Sequence, residues 1–286
     1  DEVYVASSTL SSDFPVSVGA FQTTNNGTQD GCVFKFNSAL SALTWSSYIG
    51  GTNDDAAYSL AINGLGEIVV TGGTKSPDFP SVSTGLNASF QQGVSDGWIA
   101  KINPTGTAIV SGTFLGTSAY DQSYFVDTDI DNNIYVVGQT EGAYNIEPIT
   151  VHSDSNSGQF LHKLSPDLSS TIFSTTFGTS SGAIDIALSA FLVNECNYIF
   201  VSGWGGLTNT SQGGPPSSTT IGLPVTANAI QSTTDGSDYY LSMFNENAES
   251  LKFATFFGGN SSNDHVDGGT SRFDKRGIVY QAVCAS

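Results

Sequence analysis

Residues 48–80 read YIGGTNDDAAYSLAINGLGEIVVTGGTKSPDFP. In order, this is a strand end leaving through Gly50-Gly51, an acidic turn at Asp54-Asp55, an alternating strand, a glycine turn, a Val-rich strand and a Pro-bearing loop. The parts return along the chain. The Val-rich element recurs as Val3-Tyr4-Val5, Ile68-Val69-Val70-Thr71-Gly72, Ile134-Tyr135-Val136-Val137-Gly138, Ile199-Phe200-Val201-Ser202-Gly203 and Ile278-Val279-Tyr280. A unit of strands repeated every several tens of residues buries its faces only against neighbouring copies.

The second copy shows the unit most clearly, with strands expected over 57–62, 67–74, 97–103 and 108–115. Asn63-Gly64-Leu65-Gly66 joins the first pair and Pro104-Thr105-Gly106 the second, both glycine turns of the hairpin kind. A long loop beginning at Asp78-Phe79-Pro80 separates the two hairpins. The fourth strand ends in an aromatic followed by Gly50, Gly116, Gly178 or Gly258, at successive spacings of 66, 62 and 80 residues. In the third strand Trp98 and Ala100 alternate with Ile99, so both faces are apolar and the strand sits between two other sheets.

These observations predict an all-β chain, a β-propeller of four-stranded antiparallel blades. Units fall at about 1–51, 52–116, 117–178, 179–259 and 260–286, the first and last incomplete. A stacked β-solenoid fits less well, because its coils are shorter and lack a two-hairpin grammar. Both ends of the chain carry the second strand, whereas simple closure needs the tail to supply only the missing first one. The chain therefore reads as part of a larger ring, with a small ring holding one spare strand as the alternative. Beginning within a strand at Asp1-Glu2-Val3, it looks like a mature or excised piece of something longer.

Of 286 residues only 12% are charged, and 26 acidic against 8 basic groups leave a net charge of -18. That balance argues against nucleic acid, whose phosphates need Lys and Arg, and against anionic lipid surfaces. No stretch approaches the ~18 apolar residues of a membrane helix, so membrane insertion is not expected. Thirty-two glycines with 11% aromatics describe a folded, turn-dense β protein rather than a disordered acidic tail. Cys32, Cys196 and Cys284 form an odd set without a CxxC pair, which gives zinc no support. At most one bridge can form. Cys196 and Cys284 are expected at opposite blade ends, leaving Cys284 to seek a partner elsewhere.

Ser12-Asp13-Phe14-Pro15-Val16, Gly19-Ala20-Phe21-Gln22, Asp30-Gly31 and Asp54-Asp55-Ala56-Ala57-Tyr58, with further loop copies at 77–80 and 223–231, resemble the SBBP-type bacterial β-propeller repeat. Toward the C-terminus, residues 201–206, 235–238 and 263–275 resemble the propeller region of large surface proteins of gliding bacteria that use type IX secretion. The resemblance implies a secreted or cell-surface, non-catalytic structural or interaction module, serving adhesion, gliding or extracellular assembly. Its partners would be other surface or extracellular proteins. The third copy departs from the pattern, since Asn145-Ile146-Glu147-Pro148 replaces Asp-Phe-Pro.

No catalytic residue and no organic cofactor is assigned: HExxH, a phosphate loop with Lys and the sialidase Asp-box are all missing. Calcium is the one cofactor the acidic turns suggest. Asp127, Asp129 and Asp131 alternate as in an oxygen-rich calcium loop, although Asn132 and Gly138 stand where an EF-hand needs Gly and Glu. The competing reading is a plain hairpin turn. Asp54-Asp55, Tyr120-Asp121 and Asn263-Asp264, with Asp267 nearby, recur at the turns between units, where a carboxylate caps backbone N–H groups or shares a calcium between blades. Lys35, Lys101 and Lys163 occupy one repeat position and are expected to reach solvent beside acidic partners. Trp45 and Trp98 lie within strands, whereas Trp204 precedes the longest Gly/Pro/Ser-rich loop. It reads as an exposed aromatic suited to sugar stacking, which makes a carbohydrate-binding or carbohydrate-active propeller the alternative function.

Overall fold

The computed structural model describes residues 2–80, 85–206, 218–261, 263–265, 271–282 and 284–285. Every regular element among them is a strand, and none of the described residues forms a helix long and apolar enough to cross a membrane. The first sheet holds β1 (Val3–Thr9), β2 (Asp30–Phe36) and β3 (Leu43–Ile49). The second runs β4 (Asp55–Ile62), β5 (Ile68–Thr74), β6 (Asp96–Ile102) and β7 (Ile109–Leu115). β8 (Asp121–Thr128), β9 (Ile134–Thr140), β10 (Gln159–Leu164) and β11 (Thr171–Phe177) form the third. The fourth is β12 (Ala187–Val193), β13 (Ile199–Trp204), β14 (Tyr239–Phe244) and β15 (Leu251–Phe257).

Beyond these, β16 (Asp264–His265) pairs with β19 (Cys284–Ala285) and β17 (Ser271–Phe273) with β18 (Val279–Gln281), both antiparallel. In each large sheet the order in space is the order in sequence. The fold is therefore all-β with blades following one another along the chain, the β-propeller class expected from the repeat.

The residues divide into two compact units, Asp1–Gly138 with Lys163–Thr171, and Gln139–His162 with Ile172–Ser286. In the first, Val33, Ile68, Val70, Trp98 and Phe114 belong to one buried cluster, as strands covered on both faces require. The Asp-Phe-Pro loop plugs into it: the Phe79 ring lies 4.5 Å from Trp98. Trp45 of β3 packs on the β6–β7 turn, where Gly106 has φ +69° and a Cβ would stand 2.2 Å from the indole. Only glycine meets both demands there.

In the second unit the departing third loop keeps the aromatic plug by another residue. Tyr144 stacks on Phe160 at 4.3 Å and its hydroxyl meets His162 Nδ1 at 2.9 Å. Burial pushes the His162 ring down to about 3, so it is neutral.

The lysine stripe pairs with acids, but its members do not reach solvent. Lys35 meets Glu2 at 2.6 Å, Lys101 meets Glu67 at 3.0 Å and Lys163 meets Asp129 at 3.2 Å, all with the lysine buried. The ammonium groups of Lys35 and Lys163 also lie over the Tyr4 and Tyr135 rings, which compensates in part for the water they lose. Cys32 is buried and Cys196 exposed, and neither is bridged.

Candidate functional site

A cleft of about 410 Å³ opens in the first unit between the starts of β4 and β8. Asp54, Asp55, Tyr58, Lys75, Gln29 and Gln122 supply its polar groups. A register shift between Ala57 and Ser59 leaves Tyr58 bulged out of the β4–β5 ladder, the kind of irregularity that re-aims a side chain. Tyr58 stays 42% exposed while its ring stacks on Tyr124 of β8 at 5.2 Å, the planes 14° apart. Tyr124 is itself hydrogen bonded through its hydroxyl to that of Tyr120, 3.1 Å away. At the rim Lys75 Nζ meets Asp54 Oδ2 at 3.1 Å.

Asp55 lies at the floor, and its carboxylate is fully engaged. It accepts from Gly51 N at 2.6 Å, from Ser76 Oγ at 2.8 Å and from the Thr74 hydroxyl. Burial nevertheless outweighs these donors and pushes its pKa up to about 6. The acid is a cap for the turn into β4, the simpler of the two expected roles.

Three of the four described blade junctions pair such an acid with a second one at the start of an earlier strand. Asp30, at the start of β2, and Asp55 both crowd Gly50, where a Cβ would stand 2.7 Å from Asp30 Oδ1 and 2.9 Å from Asp55 Oδ2. Asp96 of β6 and Asp121 of β8 meet in the same way at Gly116, as do Asp238 and Asp264 at Gly258. The backbone sets these meetings: Asp55 N donates to Gln29 O, Asp121 N to Ser95 O and Asp264 N to Ser237 O, at 2.8, 2.9 and 3.0 Å. Asp185 follows the pattern with Gln159 as its neighbour. With its amide turned to satisfy both groups, Gln159 donates to Asp185 Oδ2 at 3.2 Å and accepts from Asp185 N at 2.7 Å.

The remaining sequence candidates are scattered. Asp129 is a turn cap whose oxygens accept from Asp131 N, Asn133 N, Asn133 Nδ2, Tyr135 Oη and Lys163 Nζ. Burial works to raise its pKa, but the Asn133 and Lys163 contacts hold it below the ordinary value. Asp127 caps Thr128 N at 2.8 Å and Asp131 is exposed, so the three acids do not converge. Asp267 lies outside the described residues. Among the described residues no three of His, Cys, Asp and Glu gather as a metal set.

Trp204 corrects the expectation of an exposed aromatic. It is 8% exposed and packs on Tyr239, Ala187 and Leu241, with the His265 ring 6.0 Å away. Residues 207–217 of the loop after it are outside the described residues. No G-x-S-x-G elbow was expected, yet Gly178-Thr179-Ser180-Ser181-Gly182 spells that pattern, with Ser180 at φ 60°. That segment links strand β11 to strand β12, not the strand-to-helix turn an elbow requires. Tyr58 and Tyr124 were legible as a recurrence at 66 residues, the spacing of Gly50 and Gly116.

No protein-family model matches the chain, and no curated protein does. Among solved structures it is similar to Kuenenia stuttgartiensis hydrazine synthase, at TM-score 0.39 and 11% identity over 87% of this chain and 68% of that one. It is also similar to a protein of unknown function from Bacteroides caccae, at TM-score 0.32 and 7% identity over 80% of this chain and 78% of that one. The first neighbour is an enzyme, which withdraws the expectation that a chain of this architecture is not one. At that TM-score the likeness brings no activity, substrate or residue across.

Proposed function

We propose that the chain is an interaction module of a secreted or cell-surface bacterial protein, built of SBBP-type repeats like those of gliding bacteria that use type IX secretion. Its role is adhesion, gliding or extracellular assembly, through contact with other surface or extracellular proteins. The observation that carries the reading is the open polar cleft, which presents Asp54, Lys75 and the bulged Tyr58 on a rigid two-sided sheet. Binding groups held on packed strands keep their geometry at small entropic cost. Beads coated with the purified chain should adhere to the bacterial surface or its secreted matrix, with soluble chain competing. Adhesion equal to that of uncoated beads, or unchanged by Tyr58→Ala together with Lys75→Ala, refutes the reading.

A second reading has its own support. The stacked Tyr58–Tyr124 pair offers an aromatic face next to Asp54, Gln29 and Gln122, a combination that suits a sugar ring and its hydroxyls. A glycan array should then show binding that Tyr58→Ala abolishes; an array without hits removes this reading and leaves the first intact.

A further inference from the structure

β1 holds the repeat position of β5 but not its surroundings. Its ladder to β2 runs from Val3↔Phe36 to Thr9↔Asp30, as that of β5 to β6 runs from Ile68↔Ile102 to Thr74↔Asp96. β5 is also paired along its other edge, by β4, and every residue of it is buried. β1 stands at the end of its sheet, with β2 its one ladder partner among the described residues, and Val3, Ser7 and Ser8 are exposed. The turn leaving each strand is the same: Thr9 Oγ1 accepts from Ser11 N at 3.0 Å and Thr74 Oγ1 from Ser76 N at 2.9 Å. In the second sheet that turn holds the segment entering β4. Asp55 accepts from the Thr74 hydroxyl and, at 2.8 Å, from Ser76 Oγ, while Asp78 accepts from Thr52 N and Thr52 Oγ1, each at 3.0 Å. Thr9, Ser11 and Asp13 stand where Thr74, Ser76 and Asp78 stand, but there the Ser11 hydroxyl turns onto Asp13 instead. Tyr58 repeats the relation. It lies three residues into β4 and stacks on Tyr124, three residues into β8, yet it is 42% exposed, with no such strand of the first sheet among the described residues to stack on it.

We propose that the free edge of β1, with the turn at 9–13 and the open side of Tyr58, docks an extended strand of a partner protein. That strand opens as β4 does, on the pattern Thr52-Asn53-Asp54-Asp55-Ala56-Ala57-Tyr58: a Thr, an Asp three residues on, then small residues and an aromatic. The proposal rests on the reading of the chain as an interaction module and names the partner's chemistry, a first strand of the same repeat kind. The molecule itself argues for this occupant, since the matching edge of β5 is filled by such a strand. An edge strand presents unpaired N–H and C=O groups and is usually guarded by charge or proline. Val3-Tyr4-Val5-Ala6-Ser7-Ser8-Thr9 carries neither. An added strand meets those groups through main-chain hydrogen bonds, and its alternate side chains give selectivity. Here the Asp carboxylate accepts from Thr9 and Ser11, charge-assisted bonds that a neutral side chain does not reproduce. The aromatic stacks on Tyr58 as Tyr58 does on Tyr124. Leu10 and Tyr58 both line the open cleft, which gives the incoming strand its way in.

The test is fluorescence anisotropy of a labelled synthetic peptide copying residues 52–62, titrated with the whole chain, together with hydrogen exchange of the complex. The peptide should saturate at one per chain and slow amide exchange across Val3–Thr9. Asp55→Ala in the peptide should weaken binding about tenfold, and Thr9→Val in the chain, which keeps the side chain's shape, about fivefold. No binding, equal binding of a scrambled peptide, or binding that leaves exchange across β1 unchanged overturns the proposal. So does self-association of the chain that the peptide dissolves, because the donor is then a second copy. Bead adhesion without peptide binding overturns this site alone, whereas peptide binding without bead adhesion upholds the site and overturns the adhesion reading.

Discussion

At the first junction Asp30 accepts from Gln22 Nε2, Asn26 N and Gly27 N, and Asp55 accepts from Gly51 N, Thr74 and Ser76. At the second, on the same backbone plan, Asp121 accepts from Thr117 through N and Oγ1, but Asp96 has Gln91 N alone and one oxygen with no donor. The difference comes from the loops. The turn before Asp30 offers two N–H groups and a Gln side chain, whereas the turn before Asp96 offers one N–H. A repeat thus fixes where the carboxylates stand, and the variable loop decides what neutralises them. The third junction gives a further answer: the Gln159 amide donates to Asp185, taking the place of an acid altogether.

The largest effect should separate the two glycines. Gly50→Ala drives a methyl 2.6 Å from Asp30 Cγ, among oxygens already held by donors, and should cost about 3 kcal/mol. Gly116→Ala meets Asp96 Oδ1, which nothing holds, and should cost visibly less in the same urea titration. Equal losses would erase the distinction between the junctions.

Next come the acids themselves. Asp55→Asn takes charge from a fully engaged buried cap and should cost about 2 kcal/mol by urea unfolding. Asp96→Asn should fall within about 0.5 kcal/mol of the parent, because it imitates the amide that Gln159 already provides. An Asp96→Asn loss matching that of Asp55→Asn would show that Asp96 is also a donor-stabilised cap.

A control distant in sequence from both junctions is read in pH rather than in urea. His162 has a folded pKa depressed to about 3 from 6.5, since burial excludes its charged form. The unfolded chain binds the extra proton first, so the contribution is fully present above about pH 6.5 and is lost as pH falls toward about 3, with a limiting slope of about 1.4 kcal/mol per pH unit. His162→Leu should flatten the stability curve by that one proton between about pH 6 and 4. A curve as steep as the parent's would mean that other groups carry the acid sensitivity.

Much of the fold was legible because its signals are local. Strands expected over 57–62, 67–74, 97–103 and 108–115 are found at Asp55–Ile62, Ile68–Thr74, Asp96–Ile102 and Ile109–Leu115. Glycine turns and two-faced apolar strands need no partner to be recognised. The site was less legible. Trp204 sits beside a Gly-rich loop yet is buried, since exposure depends on what packs above it. Asp96 falls one residue before the strand expected over 97–103 and was not singled out, and its meeting with Asp121 arises only when the next strand docks.

By itself, then, the sequence determined the repeated hairpins, the glycine turns that join their strands and the lysine that pairs with an acid in three copies. These follow from alternation and turn chemistry within a few tens of residues. Only the tertiary structure decided which carboxylates face each other, which of them lack donors and which tyrosine is left open at the cleft. Those outcomes depend on contacts between strands remote in sequence, where burial removes water and leaves each oxygen to whatever the neighbouring strand presents.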